Sequence, residues 1–132
     1  MLNVRVFFRS TAGGVEYRKI YIGKMKTEGE KTAIFYEESD DNGITETEIN
    51  IVASDFVTVE RKGQFSNYLE FKENYLYSGQ YLTPYGKISV EAFTRSLKVE
   101  WEDEMPKISI KYKSSLMGEA SENEFSIKVR EI

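Results

Sequence analysis

Arg61 shares the period-2 phase of Val57 and Val59, so if those valines face the interior of a β structure, its guanidinium points inward with them. A buried guanidinium needs a carboxylate, several backbone carbonyls or a bound anion, and Glu38 is the candidate carboxylate. By the same alternation Thr94 follows Ile88, Val90 and Ala92, and Tyr112 follows Ile108 and Ile110, which brings two hydroxyls to the same side. A cation and two hydroxyls converging on an apolar lining form the pattern of a small-molecule pocket, with a partly apolar, anionic ligand as the natural occupant. The same groups also suit a filled barrel in which they bond one another and Arg61 closes one end or curls out to solvent. Tyr81, Thr83 and Tyr85 flank the Pro84–Gly86 turn, where they either rim an opening or plug it. The inward phase of residues 80–83 stays open, as does that of residues 31–38.

A second set of charges alternates outward. Lys107, Lys111 and Lys113 do so near the C-terminus, followed by Lys128 and Arg130, and Arg5 and Arg9 join them if the first and last strands pair. Facing like charges destabilise a sheet unless acidic neighbours or an anionic partner neutralise them. Glu124 and Glu131 are such neighbours, and a polyanion such as nucleic acid or an acidic protein surface is the alternative. The acidic run Glu100, Glu102, Asp103 and Glu104 lacks the glycine-punctuated spacing of a calcium loop and reads as a solvated turn. The chain has no histidine and no cysteine, which removes imidazole bases, thiol nucleophiles and thiolate metal sites. No serine or threonine has a general base at recognisable spacing, so no enzyme activity, metal or cofactor is expected.

The elements that must position these residues are strands. Leu2, Val4, Val6 and Phe8 alternate against Asn3, Arg5, Phe7 and Arg9. Further strands are predicted over 15–25, 31–38, 44–52, 55–62, 65–71, 80–83 and 87–94, then 97–101, 108–112 and 125–129. Asp40-Asp41-Asn42-Gly43 is the clearest hairpin turn, since Asn-Gly takes positive φ readily. Parity flips near Arg95-Ser96, which a turn or bulge explains. Val90, Phe93, Leu97 and Trp101 also have helical spacing, as do Tyr68, Phe71 and Tyr75, but alternation favours strands in both windows. Met105-Pro106 is expected to break the chain.

About ten short strands with no long helix give an all-β fold. A small closed antiparallel barrel of 8–10 strands is favoured over a sandwich, because closure hides the long, proline-free first and last strands. With 132 residues, no linker and no repeat, one domain over 1–132 is expected. The net charge of −4 argues against a protein that coats nucleic acid. No apolar run approaches the roughly 20 residues of a membrane helix, and no signal peptide is readable, so a cytoplasmic location is expected.

From Tyr36 onward the sequence resembles the YwiB-like family of uncharacterised bacterial proteins. The resemblance rests on Tyr36-Glu37-Glu38, Arg61 with Gly63, Phe71, the run YLTPYG with Tyr81, Thr83, Tyr85 and Gly86, then Thr94 and Ile108-Ser109-Ile110-Lys111-Tyr112. It implies a calycin-like, lipocalin-type barrel and brings no established activity. The N-terminal third matches only in strand pattern, and the acidic stretch from Glu100 to Glu104 departs from the family.

Overall fold

The computed structural model describes residues 1–132. Ten strands follow in order: β1 (Leu2–Ala12), β2 (Val15–Glu28), β3 (Lys31–Asp40), β4 (Gly43–Val52), β5 (Phe56–Lys62), β6 (Asn67–Phe71), β7 (Leu76–Thr83), β8 (Gly86–Glu102), β9 (Met105–Leu116) and β10 (Glu119–Glu131). They form one antiparallel sheet in the order β6-β5-β4-β3-β2-β1-β10-β9-β8-β7. The sheet curls until its edges meet, and the seam between β6 and β7 is bonded only just ahead of β6, where Ser66 and Leu82 exchange N–H···O bonds of 2.8 and 2.7 Å. The barrel is therefore nearly closed, with one seam bonded only at its end. No helix is long and apolar enough to cross a membrane.

Alternation puts Val4, Val6, Ile34, Ile49, Ile51, Ile108, Ile110, Ile127 and Val129 in the interior, each almost fully buried. Facing β-branched side chains from all around the barrel fill this middle and remove it from water. Even-numbered residues Thr32, Ile34, Tyr36 and Glu38 turn inward on β3; on β7 the odd-numbered Tyr77, Gly79, Tyr81 and Thr83 are the less exposed set.

Three local expectations are corrected. Residues 87–94 and 97–101 belong to one 17-residue strand, β8, in which a register shift between Thr94 and Ser96 lets both halves keep their apolar side inward. The Asp40–Gly43 turn has Asp41 and Asn42 at its tip; Gly43 takes positive φ (104°) and Asn42 does not, its N–H instead bonding Asp40 Oδ1 at 2.8 Å. Pro106 does not break the chain but pairs with Trp101 inside β9. Its missing N–H is tolerated because the β9–β10 ladder begins only at Lys107, leaving β9 with one neighbour there.

One departure from regularity shapes the site. β1 and β2 pair over eleven residues, whereas β2 and β3 pair only from Gly23↔Tyr36 to Glu28↔Lys31. A Cβ at residue 23 would collide with the Phe35 carbonyl oxygen, so only glycine lets the two strands cross so closely. Beyond this crossing the strands diverge, and β2 from Val15 to Ile22 keeps β1 as its sole partner.

Candidate functional site

The divergence of β2 from β3 opens one end of the barrel. Inside it lies a cavity of about 390 Å³ walled by the rings of Phe8, Tyr17, Tyr36, Phe71, Tyr112 and Phe125. Phe71, Tyr112 and Phe125 pack edge to face, with centroids 5.0 to 6.1 Å apart, and form its floor. The polar lining is Ser10, Thr11, Glu38, Arg61, Asn67, Asn123 and Glu124 together with the tyrosine hydroxyls, so Arg61 is the only cation and Glu38 and Glu124 are the carboxylates. A second hollow of about 320 Å³, lined by Asp40, Thr45, Phe65 and Tyr81 among others, meets the first at Glu38, Arg61 and Asn67.

Glu38 is the hub. Its carboxylate accepts from the Tyr21 hydroxyl at 2.7 Å and the Thr47 hydroxyl at 3.2 Å, and lies 3.4 Å from an Arg61 nitrogen. Tyr21 and Tyr36 stack at 4.4 Å and 15°, bridging the place where their strands part. Burial pushes the Tyr36 hydroxyl up to about 12, the adjacent Arg61 working against this and Glu38 with it. Burial and the bond to Glu38 raise the Tyr21 hydroxyl further. Burial raises Tyr112 as well, again opposed by Arg61. All three phenols are therefore neutral donors at physiological pH.

The Arg61–Glu38 approach of 3.4 Å is longer than the roughly 2.7–2.9 Å of a well-formed charge-assisted bond. Arg61 remains about one-third exposed, so its fork of five donors is only partly engaged. A guanidinium with free donors at the mouth of an aromatic-walled cavity can fix an anion or a carbonyl while the rings take an apolar body.

The structure brings Glu38, Arg61 and Tyr112 together on the cavity wall, with Tyr81 in the adjoining hollow. Thr94 faces Tyr112 across the ladder but does not reach the cavity; its hydroxyl is fully buried with no partner, so the expected bond between the two does not form. Thr83 neither rims nor plugs the opening, because its hydroxyl is spent on its own turn, donating to Gly86 O at 2.9 Å and accepting from Tyr85 N at 3.1 Å. Tyr85 stands 95% exposed at the tip. Tyr21, Tyr36, Thr47 and Asn67 were missed. The hairpin register that sets Tyr36 against Thr47 and Glu38 against Thr45 is the signal that would have placed two of them. The alternative between open and filled interiors resolves by position: the middle is packed, an aromatic-walled cavity lies at this end, and a wider, shallower hollow of about 990 Å³ bordered by Met25, Thr32, Ser54 and Trp101 lies at the other.

On the outside, β1 does pair with β10, setting Arg5 against Arg130, while Lys107 faces Lys128. The rest of the expected basic wall has acidic neighbours. Lys111 and Lys113 face Glu124 and Glu122, and Arg9 approaches Glu16 at 3.4 Å. The acidic run forms the β8–β9 turn, with Asp103 and Glu104 at positive φ.

Fold and site together define an antiparallel ten-stranded barrel, packed in its middle and hollow at one end around a tyrosine–carboxylate–arginine cluster. The chain belongs to the family described as Domain of unknown function (DUF1934), whose model matches residues 8–128, so the family likeness includes the N-terminal third. The crystal structure of the YwiB protein from Bacillus subtilis is similar over 99% of this chain and 91% of that one, with a TM-score of 0.78 and 19% sequence identity. That match shows the shared fold. No curated protein matches the sequence.

Proposed function

We propose that this protein is a non-enzymatic binding protein whose open barrel end holds a small, largely apolar ligand with an anionic head at Arg61. The observation that carries the reading is the partly engaged Arg61 guanidinium at the mouth of a cavity of about 390 Å³, a volume within the range of small-molecule pockets. Tyr36 and Tyr112 add hydroxyl donors beside it, and the phenylalanine rings supply an apolar wall. No covalent step is needed. The cysteine-free composition suits a reducing compartment.

Calorimetric melting against a panel of aromatic and acyl carboxylates and phosphates tests it. A ligand that binds only the folded chain raises the melting temperature by mass action. Arg61→Ala is expected to abolish that rise at a stability cost of about 1 kcal/mol, the scale of a partly exposed ion pair. A loss of several kcal/mol would make Arg61 a structural closure of the barrel instead. Glu38→Gln, which releases the competing carboxylate, is expected to strengthen anion binding. A panel without a single shift sinks the proposal.

A further inference from the structure

The outer face of β10, β1, β2, β3 and β4 is organised by sign. Following the register, Arg5 lies between Arg130 and Ile22, and beyond the parting of β2 from β3 Glu37 faces Glu46. The row above it carries Lys128, Phe7 and Ile20, and the row below carries Lys24, Phe35 and Glu48. A basic wing on β10 and β1 is thus separated from the carboxylates of β3 and β4 by the apolar pair Ile20 and Ile22 on β2, with Lys24 and Phe35 continuing the row below. Ile22 is 64% exposed, Ile20 58% and Phe7 37%. Beside Ile22 the parting of β2 and β3 leaves an outer hollow of about 450 Å³, lined by Ile22 and Phe35, by the carboxylates Glu37, Glu46, Glu48 and Glu60, and by Lys24 and Lys62.

The charges on the two wings are only partly satisfied within the chain, Glu46 facing Lys62 on β5 and Glu48 accepting from Asn50 Nδ2 at 2.8 Å. Arg5 faces Arg130, and Glu37 faces Glu46, in directly opposed cross-strand pairs that repel. Arg130 reaches Glu102, but Arg5, Lys128, Glu37, Glu46 and Glu48 enter no ion pair. A polyanion on the basic wing would lie against the carboxylates next to it. The surface complementary to basic, apolar and acidic stripes in that order is the same surface turned over.

We infer that a second copy of this chain docks on this face about a two-fold axis running parallel to β2. That operation keeps the rows in line and reverses their order. The acidic wing of each copy covers the basic wing of the other, Ile20 and Ile22 pack against their counterparts, and Phe7 of each copy faces the outer hollow of the other. An isologous contact of this kind closes as a dimer and does not propagate.

Sedimentation velocity on the full chain is the test, at low salt and again at about 0.5 M salt, where charges are screened beyond a few ångströms. A dimer is expected at low salt and a weaker one at high salt. Ile22→Arg lies at an exposed position and leaves folding intact, which a melting curve checks; it is expected to give a monomer. The doubles Arg5→Glu/Lys128→Glu and Glu37→Lys/Glu46→Lys are each expected to weaken self-association by about 100-fold, the scale of lost interfacial charge pairs. Mixed one to one, they are expected to form a heterodimer. A monomeric wild type at every concentration up to roughly 100 µM, a regime that detects even weak association, overturns the inference. So does a dimer that persists in any of the three variants, or a mixture that stays monomeric. Salt-sensitive retention of a single-stranded RNA by a monomer would overturn it in favour of a polyanion partner.

Discussion

At one end of the barrel Met25, Met105, Ile34 and Ile51 are buried, and the Trp101 indole N–H reaches across to Ser54 Oγ at 3.1 Å. At the other, aromatic rings stand around a cavity, and Glu38, Arg61 and the Tyr21 and Thr47 hydroxyls are gathered beside it. The same ten strands produce both ends, so the difference lies in pairing and composition. β2 and β3 stay bonded down to Glu28↔Lys31 at the closed end and part above Gly23 at the open one. Where the ladder holds, aliphatic side chains meet; where it parts, tyrosines and a carboxylate span the wider gap because their polar tips can reach and bond across it.

This contrast can be broken from either side. Ile34→Ala, in the closed half, is expected to cost about 3 kcal/mol in urea denaturation, since the lost contacts cannot be recovered by collapse in a close-packed region. Raising the pH should weaken the open end selectively. Tyr36 ionises near 10 in the unfolded chain and near 12 in the folded one, so unfolding releases its proton first. Stability is therefore full below pH 10 and falls as pH climbs through 12, by about 3 kcal/mol for this one group. Denaturation midpoints measured across that window should decline in wild type, decline less in Tyr36→Phe, and show the wild-type slope in Ile34→Ala.

Truncating a cavity wall should matter less. Phe8→Leu is expected to cost roughly 1 kcal/mol, because the removed atoms already border empty space. The smallest effect concerns the closed-end β8–β9 turn, where Asp103 and Glu104 hold φ of 52° and 65°. Replacing them with Asn and Gly should raise stability by about 1 kcal/mol, since left-handed backbone costs other residues about that much. An unchanged melting temperature would count against strain there.

Much of this was legible in the alternation of side chains. Val57, Val59 and Arg61 share one phase, and their spacing alone set Arg61 on the inner face. The β8 bulge announced itself as a parity flip at Arg95, and the final hairpin by Ile108, Ile110, Phe125 and Ile127. What stayed hidden depends on how distant strands are registered. Tyr21 and Glu38 are 17 residues apart, and their bond exists only because β2 and β3 separate above Gly23. Nothing in the local pattern of Tyr-Ile-Gly-Lys specifies that parting. Thr83 and Tyr85 misled because a motif-like run at a proline turn gives residue types without direction; the turn itself consumes one hydroxyl and exposes the other ring.

Trp101 is the only tryptophan in the chain, and it sits half-exposed at the end away from Arg61, tethered through Ser54. Its fluorescence thus watches the far side of the barrel from Arg61 and responds to loss of the closed end, not to occupancy of the hollow one. Tyrosine emission covers the opposite territory, since Tyr17, Tyr36 and Tyr112 line the cavity. Two excitation wavelengths on one unmodified sample therefore separate events at the two ends of a molecule only ten strands around.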